Sequence, residues 1–181
     1  MNLVKNVIDF VMDILETVVF MSSILIVTVV YIIQPQQVVG ASMQHSFEDG
    51  DRILASKVAY KFDIPKRHEI IVFKAPRDKD INYIKRVIGL PGDRIMVKNE
   101  QLYVNDVRQN EPYISSPSIL YPGWYMKDGV EITVPADYLF VMGDNRSQSS
   151  DSRDFGPIPI GDIVGRVVFR LFPLSTAGSI N

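Results

Sequence analysis

The stretch TVVFMSSILIVTVVYII, Thr17–Ile33, decides how the rest of the chain is read. Its 17 residues carry no charge, which places it at the lower end of the roughly 17–25 residues that span a bilayer. A helix is the expected form, because backbone polar groups in lipid must pair within the segment. Phe10, Val11, Met12, Ile14 and Leu15 extend the apolar character toward the N-terminus. Two alternatives exist. One is a buried core helix. The other is a cleavable signal peptide, with Gln34-Pro35-Gln36-Gln37 as its polar end and Val39-Gly40-Ala41 as its cleavage site. Against the latter, the apolar run exceeds the usual ~7–15 residues and the leader is acidic. The reading adopted is a retained anchor over 17–33, preceded by a stub over 1–16 and followed by an exported domain over 34–181.

Within the stub, Asp9, Asp13 and Glu16 fall on one helical face, while Ile8, Val11, Met12 and Leu15 fall on another. That is the pattern of a short amphipathic lead-in at a membrane surface. Lys5 and the α-amino group lie before the span, and the first basic residue after it is Arg52. Basic residues near a span favour the cytoplasmic side. The expectation is a single-pass protein of the plasma membrane, with a cytoplasmic N-terminus and the larger part outside.

Of the 181 residues, 19 are Lys or Arg and 21 are Asp or Glu, for a net charge of −2. Setting the stub's four charges aside leaves 18 of each sign, so the exported part is neutral. That balance argues against a nucleic-acid partner. The absence of cysteine excludes disulfides, thiolate metal sites and a cysteine nucleophile. Only two histidines are present, leaving little scope for a histidine-rich metal site.

Past Pro35 the pattern turns to short β-rich runs: 52–57, 69–74, 82–88, 94–98, 101–104, 131–134, 138–142 and 163–170. Asn99-Glu100 is read as a hairpin turn. Leu90-Pro91-Gly92-Asp93, Tyr121-Pro122-Gly123-Trp124 and Gly156-Pro157 break the chain elsewhere. The expected class is mainly β: a transmembrane helix followed by an antiparallel β domain, a barrel or sandwich of short strands. The region 105–129, with Pro112, Pro117, Pro122 and Trp124, is read as a loop-rich insertion.

Three segments carry chemistry. In Gly40-Ala41-Ser42-Met43, a serine sits between small residues just beyond the span, with Asp49-Gly50-Asp51 following. In Tyr83-Ile84-Lys85-Arg86-Val87-Ile88-Gly89-Leu90-Pro91-Gly92-Asp93, a lysine interrupts an apolar strand. If Ile84 points outward, Lys85 points to the core. A buried lysine without a partner loses its proton and can then act as a base; the plainer reading is a lysine guarding a sheet edge. In Gly143-Asp144-Asn145-Arg146-Ser147-Gln148-Ser149-Ser150-Asp151-Ser152-Arg153, hydroxyl and paired charged residues are dense enough for a hydrogen-bonded scaffold or a solvated loop.

In this order, after a membrane span, Gly-x-Ser-Met, Tyr-x-x-Arg-Val-x-Gly-x-Pro-Gly-Asp and Gly-Asp-Asn-Arg…Asp-Ser-Arg resemble a bacterial type I signal peptidase in its short single-span form. The resemblance extends from the anchor to about Phe172. It implies a serine endopeptidase that cuts signal peptides from exported preproteins, with Ser42 as nucleophile and Lys85 as general base. It also implies that the backbone N–H of Ser42 serves the oxyanion hole, that Ser149 orients the lysine, and that Asp144, Arg146, Asp151 and Arg153 brace the site. Met43 matches the methionine packed beside the nucleophile. The strands Gln37–Ala41 (Gln37, Val38, Val39, Gly40, Ala41) and Asp80–Ile84 (Asp80, Ile81, Asn82, Tyr83, Ile84) would flank an extended substrate. No metal or cofactor is implied. The implied partners are signal peptides, the lipid bilayer and the secretion translocon.

The chain departs from the family pattern in three places. Where the family has Ser-Met-x-Pro-Thr, this chain has Ser42-Met43-Gln44-His45-Ser46, and losing the proline frees φ beside the nucleophile. His68 stands at a position commonly glycine and is read as a surface turn residue. Gln148 stands where asparagine is frequent. Two alternatives remain at this level: a self-processing Ser/Lys protease, and an anchored, non-catalytic peptide-binding module.

Overall fold

The uncharged N-terminal run folds as a helix with no covered side. The computed structural model describes residues 3–114 and 120–180, apart from the Phe62 side chain. Pro117 of the expected insertion lies outside the described residues. Helix α1 runs over Leu3–Val27 and continues as a π-helical turn through Ile32. Together they form one 30-residue apolar helix, none of it buried against the protein. Stub and span are thus a single rod. Its end is tied to the β domain by Lys57, whose N–H reaches the Ile32 carbonyl at 2.8 Å and whose Nζ reaches the Val30 carbonyl at 2.9 Å.

The strands are β1 (Ile33–Gln37), β2 (Arg52–Ser56), β3 (Ile70–Lys74), β4 (Asn82–Gly89), β5 (Arg94–Lys98), β6 (Gln101–Val104), β7 (Val107–Arg108), β8 (Ile132–Thr133), β9 (Tyr138–Met142), β10 (Ile158–Pro159), β11 (Ile163–Phe172) and β12 (Gly178–Ser179). Two short helices, α2 (Ala59–Phe62) and α3 (Ser152–Phe155), lie between strands. The large antiparallel sheet has the order β1-β2-β11-β3-β4-β9-β10, with β12 added beside β11. Register shifts in β11 and in β4 are bulges, which bend a strand and strengthen its twist. A small sheet, β7-β6-β5-β8, packs at one end. The class is mainly β with an apolar N-terminal helix, as expected from the alternation.

The structure adds detail to the sequence reading in three places. Ile33–Gln37 is strand β1, so the helix stops one residue before the end read for the span. Pro35 is compatible with it because β1 is an edge strand, where a missing N–H breaks no ladder. Within the expected loop-rich insertion, Asn105 and Asp106 adopt φ of 53° and 66°, turning β6 into β7 in the manner that Asn99 and Glu100, at 50° and 61°, turn β5 into β6. With Lys85 buried, Ile84 is only half-exposed. It packs against the core made by Val38, Met43, Phe47, Ile53, Ala55, Ile70, Val72 and Val167. The other side of the large sheet is covered by Ile71, Phe73, Val87, Leu139, Val141 and Ile158. Strand β4 is therefore covered on both faces from Lys85 to Gly89. Alternation alone could not tell which of its residues is buried.

Candidate active site

After β1 the chain makes a tight loop back to β2. The N–H of Val38 donates to Asp51 O and that of Gly50 to Val38 O. Gly40, at φ 88°, lies in a region open to glycine at little steric cost, and its N–H donates to Asp49 Oδ1 at 2.8 Å. The chain then enters a single helical turn in which the N–H groups of Ser46 and Phe47 both bond to Met43 O. Met43 and Phe47 are fully buried beneath it, and burying side chains of this size stabilises the fold by about 2 kcal/mol each. Ser42 thereby stands at the rim with its neighbour Met43 as anchor.

Lys85 enters from β4. Its side chain is buried, and Nζ lies 2.8 Å from Ser42 Oγ and 2.9 Å from Ile84 O. Burial pulls its pKa from 10.5 down to about 8, the carboxylates of Asp151 and Asp144 opposing and Arg153 assisting. Neither aspartate contacts the amine directly, because each is engaged elsewhere. Asp151 accepts from Arg153 Nε and Nη2, both at 2.8 Å, and from the Gly143 N–H at 3.1 Å. These bonds hold its carboxyl below the usual carboxylate range against its own burial. Asp144 accepts from Arg86 Nε at 2.8 Å and Nη2 at 2.6 Å, and from the Ser46 hydroxyl.

The Gly143–Arg153 segment is thus a scaffold. Arg153 Nη2 also donates to Arg146 O, and Arg146 donates to Gly143 O and forks onto Glu111. The Asn145 N–H donates to Ser42 O. A Cβ on Gly143 would lie 2.3 Å from Ser149 Oγ and 2.4 Å from Ser42 O, so only glycine allows this close approach of the two loops. Three participants were not assigned from sequence: Arg86, Glu111 and Gly143. Arg86 and Gly143 lay inside the quoted motifs, but nothing in a linear pattern pairs Arg86 with Asp144. Glu111 lies in a stretch with no periodicity.

Ser149 departs from the expected role. Its hydroxyl is buried and does not bond Lys85; it makes no well-formed hydrogen bond among the described residues, but lies near enough to the Asp151 carboxylate to favour its ionised form. The lysine instead takes the Ile84 carbonyl of its own strand. His68 is the exposed turn residue it was read as; its carbonyl accepts from Arg86 Nη1, and its ring lies 5.8 Å from that of Tyr113. Its φ of 72° gives the reason glycine suits that position. His45 has φ 80°, which proline cannot adopt, so the turn after Ser42 takes a form the family proline would forbid.

A groove of about 380 Å³ runs to Ser42 and Lys85, lined by Gln37, Val38, Val39, Ile81, Asn82, Tyr83 and Ile84 together with Gln36, Ile53, Val72 and Ser150. Gly40, Ala41 and Asp80 do not line it. Of the expected strand Gln37–Ala41 only Gln37 belongs to β1, and of Asp80–Ile84 only Asn82, Tyr83 and Ile84 belong to β4. Asp49 and Asp78 bond the backbone at Gly40 and Asp80 and turn the chain there. Strand β9 pairs with β4 at Arg86, Val87 and Gly89, leaving the Asn82–Lys85 edge facing the groove. Among the described residues, no group of three or more His, Asp or Glu side chains is disposed to hold a metal ion.

The model of the family "Signal peptidase, peptidase S26" matches residues 11–172. Signal peptidase IB of Staphylococcus aureus is 36% identical over 80% of this chain and 81% of its own length. Thylakoidal processing peptidase 1, chloroplastic, of Arabidopsis thaliana is 37% identical over 78% of this chain, which spans 43% of that protein. A crystal structure of a signal peptidase I from Enterococcus faecalis aligns with a TM-score of 0.46 at 30% identity, covering 57% of this chain and 97% of that one.

Proposed function

The chain belongs to the signal peptidase family, peptidase S26, whose members are serine peptidases that remove signal peptides, and on that premise we propose that Ser42 and Lys85 carry out the cleavage. The observation that carries the assignment is the 2.8 Å contact between Lys85 Nζ and Ser42 Oγ. A serine hydroxyl is a weak nucleophile until a base removes its proton. A lysine held near 8 by burial is neutral in a useful fraction of molecules close to neutrality. Neutral Lys85 takes the Ser42 proton as Oγ attacks the scissile carbonyl, and the developing oxyanion is met by the Ser42 N–H. The protonated amine then gives its proton to the leaving nitrogen, and an acyl-Ser42 ester remains. Water, deprotonated by the same lysine, hydrolyses it.

The signal peptide would lie extended in the groove, adding a strand against the Asn82–Lys85 edge. Because side chains of an extended peptide alternate, residues one and three before the cut face the same wall, where Val38, Ile53, Val72 and Ile84 leave room for small ones. The helix over residues 3–32 is the membrane anchor in this reading. We place the N-terminal stub in the cytoplasm, the β domain outside the plasma membrane, and the translocon and bilayer as neighbours.

The test is Ser42→Ala and Lys85→Ala in the full chain in detergent or liposomes, assayed on a preprotein with an Ala-x-Ala site. Each is expected to abolish cleavage. Full cleavage by either would refute the dyad and favour a different nucleophile or base.

A further inference from the structure

The turn that carries Ser42 is gripped from two sides, and one of the grips comes from the far end of the chain. Arg170 projects from β11, whose backbone pairs it with Ile53 and with Gly178. Its Nη2 donates to Ser46 O. Its guanidinium lies 4.5 Å from the centre of the Phe47 ring, within range of a cation–π contact. Its Nε lies 3.5 Å from Asp51 Oδ2, the carboxylate that also accepts the Glu48 N–H. One side chain therefore touches the middle, the end and the exit of the loop that holds the nucleophile.

The second grip is on the same residue. The Ser46 hydroxyl bonds Asp144, and Arg86 Nη2 lies 3.2 Å from it. Ser46 is fixed by its side chain through Asp144 and by its carbonyl through Arg170. Immediately before it stands His45 at φ 80°, a position with no proline ring to stiffen it. We propose that Arg170 is a positioning residue for the cleavage reaction: through the Ser46 carbonyl, Phe47 and Asp51 it fixes the 42–51 turn, and so holds Ser42 Oγ at the distance from which Lys85 can take its proton. The proposal rests on the Ser42 and Lys85 reading above. Arg170 touches neither the groove nor the lysine, so its effect falls on attack and not on substrate affinity or on the lysine's ionisation.

Arg170→Met and Arg170→Lys in the full detergent-solubilised chain test this, with active sites counted by a serine-directed acylating inhibitor. Per titrated site, Arg170→Met is expected to lower kcat by about 10- to 100-fold, the scale on which a misplacement of about 1 Å acts. KM should stay within about twofold and the pH inflection of the rate should not move, because Lys85 is untouched. Arg170→Lys keeps the charge but loses the fork and should fall between Arg170→Met and the parent. Should Arg170→Met fail to fold, the lysine variant decides, and a parental kcat per site there overturns the proposal. The proposal is likewise overturned if kcat per site is unchanged in Arg170→Met, since the role is then stability alone. A shifted pH inflection overturns it too, since Arg170 would then act through Lys85. Ser42→Ala run alongside separates the two readings: activity surviving in Ser42→Ala refutes the dyad, whereas a dead Ser42→Ala with a parental Arg170→Met refutes only the clamp.

Discussion

Replacing Lys85 by Met should abolish cleavage and, at neutral pH, make the fold more stable. The folded-state pKa of Lys85 is about 8, below the 10.5 of the unfolded chain, because burial disfavours the ammonium. Between those two values the unfolded chain binds more protons than the folded one, so this group makes stability rise with pH. Below pH 8 both states are protonated and the full penalty applies; above 10.5 it has vanished. The gap between the two values corresponds to about 3 kcal/mol at neutral pH. Methionine fills nearly the same volume without the charge. It loses the bonds to Ser42 Oγ and Ile84 O, each worth about 1 kcal/mol net. The expected gain at pH 7 is therefore about 1 kcal/mol, shrinking and then reversing in sign as the pH approaches 10.5. Urea unfolding of parent and variant in the same detergent, followed by circular dichroism at pH 7, 8, 9 and 10, measures it. The difference between the two proteins cancels every other titrating group, including the half-buried tyrosines Tyr60 and Tyr113. A difference that stays constant across this range would refute the reasoning, because the lysine would then ionise in the folded protein as it does in water and could not serve as a base near neutrality.

Three further outcomes follow from the same geometry. With chemistry rate-limiting, kcat/KM should rise about tenfold from pH 7 to 9, as the neutral fraction of Lys85 grows from about 9% to about 91%; a flat profile contradicts a lysine base. Gly143→Ala should reduce cleavage by more than about 100-fold, because the added methyl meets the Ser42 carbonyl and displaces the nucleophile; an active variant would show that the two loops are not in close contact. Ser149→Ala should change stability by no more than about 1 kcal/mol, because the buried hydroxyl it deletes makes no well-formed hydrogen bond among the described residues and only favours the nearby Asp151 carboxylate. A loss of more than about 1 kcal/mol on thermal or urea unfolding would mean that this hydroxyl is bonded in solution.

The apolar helix was legible because it depends on local composition: a run of uncharged residues needs no partner to be recognised. The strands were legible for the same reason. Residues 94–98, 101–104 and 138–142 emerge with the bounds read from alternation, and Asn99-Glu100 forms the turn its residue types favour. Strand β1 was not legible, because Ile33-Gln34-Pro35-Gln36-Gln37 has neither alternation nor β-branched residues beyond the first. It is a strand only because β2 offers it a partner. The motifs named Ser42 and Lys85 through a resemblance. The contact between them exists because β4, whose Lys85–Gly89 segment is covered on both faces, delivers a lysine from below to the rim where the turn after β1 ends. Ser149 shows the limit from the other side. Its motif position matches an orienting hydroxyl, yet the side chain lies against Gly143, and the lysine bonds its own strand.

By itself, then, the sequence determined the elements whose cause is local: an apolar helix, a set of alternating strands and the turns between them. Only the tertiary structure decided what the charged residues do. Arg86 meets Asp144, Arg146 meets Glu111, and Arg170 meets Asp51 and the Ser46 carbonyl across many tens of residues in sequence. The reason is physical: periodicity fixes which face a residue presents to its neighbours, but the pairing of buried charges depends on the desolvation they share once the sheet has curled.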